Sequence, residues 1–181
     1  MKSASGCSTT RCYCASVPAD RHDWNELGNN PLIHERHIQA FMDEGVVLSD
    51  ALRVIITRDR QKRPAAVEIK GRLTCTHGLF VDIEKHLDVM VRDGRIWVRL
   101  GDCKYHAGIA GFAHRTISRY DTSHPYPDHA DNYHKHHVNH ATWEEVGTPT
   151  WIGRMDCPHL SEVLAELQDW WRDTGQFMDF R

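Results

Sequence analysis

Apolar and polar side chains alternate through the middle of the chain. Leu79, Val81, Ile83, Leu87, Val89 and Val91 fall on one face, while Asp82, Glu84, His86 and Asp88 share the other, the period of two that marks a half-buried strand. Arg92-Asp93-Gly94-Arg95 is an Asp-Gly turn, and Ile96, Val98 and Leu100 resume the pattern beyond it. Upstream, Leu52, Val54 and Ile56 alternate with more polar neighbours, as do Val67, Ile69, Leu73 and Cys75, and Thr76-His77-Gly78 makes a hairpin connection. After a loose stretch containing Gly101, Gly108 and Gly111, the run from His114 to Asp121 reads as a further strand. Consecutive hairpins predict an antiparallel meander with one apolar face.

Helical spacing brackets this region. Asn30 followed by Pro31 forms a cap and first-turn pair, Ile33, His37, Ala40 and Phe41 lie at helical spacing, and Gly45 supplies a stop. His37 on that apolar side reads as a partly buried structural histidine. At the other end, Asp156 is the expected cap and Pro158 fits a first turn. Leu160, Val163, Leu164, Leu167, Trp170 and Trp171 then form an amphipathic stripe, the natural cover for the sheet. The fold expected is therefore α+β: an antiparallel β-sheet meander covered on one face by an N-terminal and a C-terminal helix. Residues 1–28 show no periodicity and are expected to be a disordered leader, 29–176 a single domain, and 177–181 a C-terminal tail.

A chain of 181 residues holds one ordinary core, and 40% hydrophobic with 26% charged residues is the balance of a globular protein with no bilayer-spanning run. Met1 to Asp20 lacks the apolar stretch of a secretory signal, so a cytoplasmic location without membrane association is expected. Cys7, Cys12 and Cys14 lie in the leader and Cys75, Cys103 and Cys157 are scattered, so neither group resembles a disulfide framework or a zinc knuckle. The net charge of −3 argues against tight nonspecific nucleic-acid binding, but it is unevenly spread. From Arg53 to Arg72 seven basic residues face two acids, whereas from Ala141 to Arg181 eight acids face three arginines. The basic turn, with Arg60 and Lys62 at its tip, is a candidate surface for phosphate or an acidic partner; a solvated hairpin loop is the plainer alternative.

Candidate chemistry is concentrated in one place. Between Arg119 and His140 lie six of the chain's fourteen histidines: His124, His129, His134, His136, His137 and His140. Imidazole serves proton transfer, metal ligation or pH switching better than packing, although a polar loop would also tolerate such a composition. Pro125 and Pro127 break regular structure, and the chain can resume as a strand near Tyr133. In a strand His134 and His136 share one face and Lys135 and His137 the other; in a helix His134 would pair with His137, and His136 with His140.

Arg119-Tyr120-Asp121, a Pro- and His-containing spacer, His134-Lys135-His136, a return strand and a final helix together resemble the TumE-like toxins of bacterial toxin/antitoxin modules. The similarity spans roughly residues 64–172, its specific part about twenty of them. Thr122 stands where the family usually has Asn, and the spacer is longer by His129-Ala130-Asp131-Asn132. The resemblance implies a toxin held in check by a cognate antitoxin protein.

Two mechanisms fit the residue inventory. In the first, the protein is a ribonuclease in which His134 and His136 act as base and acid on RNA, Arg119 and Lys135 stabilise the phosphorane, and Asp121 orients an imidazole. There, His124, Tyr120, Tyr133, Arg60 and Lys62 would contact substrate. In the second, His124, His134 and His136 with Asp121 ligate zinc or manganese in a phosphoesterase. The metal-free version is preferred, with no cofactor, because Lys135 and Arg119 supply positive charge and would repel a dication. A third reading is a non-catalytic module whose histidines bind metal or a partner. A homo-oligomer is compatible with each. No phosphate-binding Gly-x-x-x-x-Gly-Lys loop and no Gly-x-Gly-x-x-Gly fingerprint is present.

Overall fold

In the computed structural model, which describes residues 22–111 and 115–179, the period-two segments form long strands joined by tight turns. The order is β1 (Asn25–Glu26), α1 (Asn29–Asp43), β2 (Val47–Asp50), β3 (Arg53–Arg58), β4 (Pro64–Cys75), β5 (Leu79–Arg92), β6 (Arg95–Ile109), β7 (Thr116–Asp121) and β8 (His134–His136). Three short strands follow, β9 (Val138–Asn139), β10 (Glu144–Glu145) and β11 (Thr150–Trp151), and then the long helix α2 (Leu160–Asp173). The main sheet runs β11-β8-β7-β6-β5-β4-β2, with β3 beside β2 on β4, and β1 pairing β6 antiparallel. It is an α+β fold with a large antiparallel sheet and two helices, as expected. Among the described residues no helix is long and apolar enough to cross a membrane.

The turn chemistry works as the sequence implies. Asp93 and Gly94 both take positive φ, 51° and 73°, which matches the right-handed twist of the flanking strands β5 and β6. Helix α1 begins two residues earlier than expected, with Gly28 in the cap position in place of Asn30, and Gly45 (φ 72°) terminates it. Asp156 does not cap α2, because it closes a short 3-10 turn spanning Arg154–Asp156; His159 takes the cap position, and its backbone N–H donates to Glu162 at 2.6 Å.

The core lies between the helices and one face of the sheet. Leu73, Val81, Ile83, Val98 and Tyr105 from the strands meet Ile38 and Phe41 of α1 and Leu160, Val163, Leu164 and Leu167 of α2, all buried. Trp171 is less buried than the rest of its stripe and stacks on His77 at 4.2 Å.

Three features differ from expectation. The ordered chain starts before residue 29: His22 is buried with its Nε2 3.0 Å from the Cys157 carbonyl, β1 pairs β6, and the Leu27 amide donates to Ile96 at 2.8 Å. Alternation could not signal this segment, because a two-residue strand has no period. Met178 also packs against the core, past the expected domain end. Strand β3 does not bury an apolar face, since all six of its residues are exposed. The rest of the expected leader, with Cys7, Cys12 and Cys14, and residue His114 lie outside the described residues.

Candidate metal centre

The site is made by cross-strand register. Arg119 of β7 faces His136 of β8, Tyr120 faces Lys135, and Asp121 faces His134. Alternation therefore puts Arg119, Asp121, His134 and His136 on the sheet face away from the helices, and Tyr120 and Lys135 on the helix-covered face. The strand reading of 134–136 holds. The segment between β7 and β8 folds back over the outer face, so that the His124 ring centroid lies 4.3 Å from that of His134 and 5.7 Å from that of His136. Tyr126 completes the cover, 5.7 Å from His134 and donating its hydroxyl to the Pro149 carbonyl at 2.7 Å.

The polar atoms converge on a point. His134 Nε2 and His136 Nε2 are 3.2 Å apart, and the Asp121 carboxylate approaches them at 3.0 Å and 3.4 Å. His124 Nδ1 lies 4.0 Å from the same carboxylate. His134, His136 and Asp121 are buried, while the His124 side chain is 47% exposed and forms the open side.

Each buried imidazole has its other nitrogen engaged. His134 Nδ1 meets the Asn132 carbonyl and His136 Nδ1 meets the Glu145 carboxylate at 3.0 Å. Both partners are acceptors, so both Nδ1 atoms donate, and in the neutral rings both Nε2 atoms carry a bare lone pair. Two lone pairs and a carboxylate oxygen facing one another at about hydrogen-bond distance repel unless a cation lies among them. A proton would satisfy one contact; a divalent ion satisfies all of them. Nitrogens about 2.0–2.1 Å from a tetrahedral zinc lie about 3.3 Å from each other, which is the separation seen. Fixing the metal-facing nitrogen by a carbonyl or carboxylate on the far side of the ring is the usual support of a ligating histidine. His124, His134 and His136 can hold a metal ion: one nitrogen from each lies within 4.8 Å of the others.

The protonation states agree with this. Burial lowers the His134 pKa below the ordinary 6.5, outweighing the raising effects of the Asn132 carbonyl and Asp121, and His124 and His136 add to the lowering. Burial alone would raise Asp121, but the Ser123 amide, the Arg119 guanidinium and the two histidines hold it below the ordinary carboxylate value. A neutral imidazole and an ionised carboxylate are the forms that ligate.

The remaining expected site residues divide. Arg119 is at the site, but its charge is taken by Asp121 at 2.6 Å and Glu145 at 3.3 Å. Lys135 is on the opposite face, bound to Glu166 of α2 at 2.9 Å and 4.9 Å from the Tyr120 ring centre. Tyr120 and Tyr133 are buried, their hydroxyls on Glu166 and the Gly101 carbonyl, and neither presents a ring to a base. Arg60 and Lys62 occupy the β3–β4 turn, about four strand spacings or roughly 20 Å across the sheet from β8. His129 stacks on Trp151 at 4.1 Å, and His140 binds the Ile117 carbonyl and Trp170.

Glu145, Asn132 and Trp151 were not singled out from the sequence. Glu145 sits in a two-residue strand and Asn132 contributes its backbone, so neither carries a local signal. Trp151 lies directly across from His134 on β11, is 37% exposed, and is steered by its indole N–H to Asp131 at 3.1 Å. Comparison with protein-family models, curated proteins and solved structures returns no match.

Proposed function

We propose that this protein is a divalent-metal-dependent phosphoesterase, with RNA as its substrate class, serving as the toxin of a toxin/antitoxin pair. The observation that carries the metal reading is the facing pair of bare imidazole nitrogens 3.2 Å apart, each ring anchored from behind. His134, His136 and Asp121 would hold the ion from the buried side and His124 from the open side. Bound there, a zinc or manganese ion supplies Lewis-acid polarisation of a phosphoryl oxygen.

The same distance disfavours the metal-free mechanism. A base and an acid acting on one phosphodiester must each reach a different oxygen at about 2.6–3.2 Å, with phosphorus between them. Two nitrogens 3.2 Å apart leave no such space. The repulsion expected from Lys135 and Arg119 is also weakened, since both are paired with carboxylates.

The protein's own groups have separate tasks. Arg119 holds Asp121 ionised and in place. Glu145 and the Asn132 carbonyl fix the two ring tautomers. The exposed His129–Trp151 stack, next to His134 across the strand pair, offers a flat face to a nucleobase. The toxin assignment, with its cognate antitoxin, rests on the Arg119-Tyr120-Asp121 to His136 resemblance.

A non-catalytic metal site is the second reading, favoured by the full burial of His134 and Asp121 under the segment that precedes β8. One experiment separates the two: metal analysis of purified protein, then RNA cleavage and thermal melting before and after chelation. Hydrolysis predicts about one bound ion per chain, cleavage abolished by chelator and restored by zinc or manganese, and cleavage lost in His136→Ala. Bound metal with a large melting shift and no RNA cleavage would establish the structural role. Cleavage that survives chelation would overturn the metal reading.

A further inference from the structure

Strand β3 is an open edge. Among the described residues it hydrogen-bonds to β4 alone, so the main-chain donors and acceptors of its outer side have no strand partner. Open edges are ordinarily blunted by charge, proline or a bulge, because they template pairing with another chain. This one carries charge and a register shift only at its ends, at Arg53 and Arg58, and between them three aliphatic residues, Val54, Ile55 and Ile56, are exposed by 42%, 37% and 38%. Gly71 of β4 (φ 153°) lets the chain just before β3 lie close: a Cβ there would come within 2.2 Å of the Ala51 carbonyl oxygen. The edge is thus held against the sheet, and its apolar residues are displayed on both faces.

We propose that β3 pairs antiparallel with β3 of a second copy of this chain, with Ile55 on the two-fold axis. The register follows from the side chains. Centred on Ile55, each Val54 faces Ile56 of the other copy on the helix side of the sheet, and the two Ile55 side chains meet on the outer face. The faces are set by the pairing of Val54 with Ile69, Ile56 with Val67 and Ile55 with Glu68. All three exposed aliphatics are then covered. A centre between Ile55 and Ile56 would oppose residues that point to different faces, which a continuous two-fold sheet does not allow. A centre on Ile56 would leave Val54 beneath Arg58.

Charge supports the Ile55 register. It sets Arg53 of each copy opposite Thr57 of the other, so no like charges face each other along the strand. A closed two-fold contact uses up the edge and ends assembly at two. The proposal is independent of the metal reading, since β3 and β8 lie toward opposite ends of the sheet.

Sedimentation equilibrium of the full chain should show a monomer–dimer equilibrium, with a dissociation constant on the order of micromolar for so small an interface. Ile55→Lys, which places two ammonium groups on the axis, should raise that constant at least tenfold, with the circular dichroism spectrum unchanged. Should Ile55→Lys fold poorly, Ile55→Cys decides: mild oxidation should give a disulfide joining residue 55 to residue 55, located by peptide mass spectrometry. A wild-type chain that stays monomeric at about 100 μM, a dimer unaffected by Ile55→Lys, or no 55-to-55 cross-link in a folded dimer would overturn the proposal.

Discussion

At the scale of single residues, the site is a question of which nitrogen carries a proton. Glu145 does not touch the point of convergence, yet it fixes the bare nitrogen of His136. Glu145→Gln should therefore lower metal affinity by about 10–100-fold while the fold persists, the usual cost of losing a carboxylate behind a ligating histidine; titration calorimetry with zinc measures it. Wild-type affinity in that variant would show that Arg119, which also pairs with Glu145, is the carboxylate's real partner. Lys135 gives the complementary test. Lys135→Met should leave RNA cleavage within about threefold of wild type, because the ammonium lies on the other face of the sheet, and should cost about 1–3 kcal/mol of stability through Glu166 left in a partly buried setting. A large loss of rate without loss of stability would return Lys135 to the chemistry. The grouping of His134, His136, Asp121 and Arg119 was legible in the sequence because a strand repeats every two residues. The position of His124 was not, since the segment between β7 and β8 has no period and its path is set by contacts such as that of Tyr126 with Pro149.

At the scale of elements, the long strands and α2 could be read with little loss because each combines a long periodic run with clear punctuation. Leu164, at the centre of the α2 stripe and fully buried, should cost about 2–5 kcal/mol when changed to Ala, read as a lowered midpoint in urea. The departures arise where periodicity is short or shared. β1 has two residues, so only its pairing with β6 reveals it. β3 has the composition of a buried strand, but it sits at the sheet margin, where no layer covers it. The cap of α2 moved from Asp156 to His159 because Cys157, with ψ of 125°, is not helical: Pro158 disfavours helix in the residue before it, and His159, with ψ of 158°, is the extended position at which the helix starts.

Across the whole molecule, half-buried histidines contribute to the response to acid. Burial lowers His37 and His106 from the ordinary 6.5, and the positive charges of Lys85 beside His37, and of Arg119, Lys104 and Arg72 around His106, act in the same direction. Glu162 opposes the shift at His37 and Asp82 at His106 without reversing it. The unfolded chain therefore takes up these protons before the folded chain does, so stability is full above about pH 6.5 and is lost as the pH falls below it. Melting temperature measured with chelator present, so that metal release does not contribute, should fall between pH 7.5 and pH 5.5; a flat profile would mean that these rings remain accessible to protons in the folded state. A last consequence comes from Lys85, which interrupts the apolar stripe of β5. It is 6% exposed, with its amine 3.2 Å from His34 Nε2 and over the Tyr105 ring, and burial lowers its pKa. An amine enclosed in this way is shielded from acylating reagents until the helices lift from the sheet, and once uncovered it reacts as any lysine does. Its acylation rate relative to exposed Lys104 on the neighbouring strand thus serves as a clock for opening of the core, carried by the unaltered chain and readable by mass spectrometry without any introduced label.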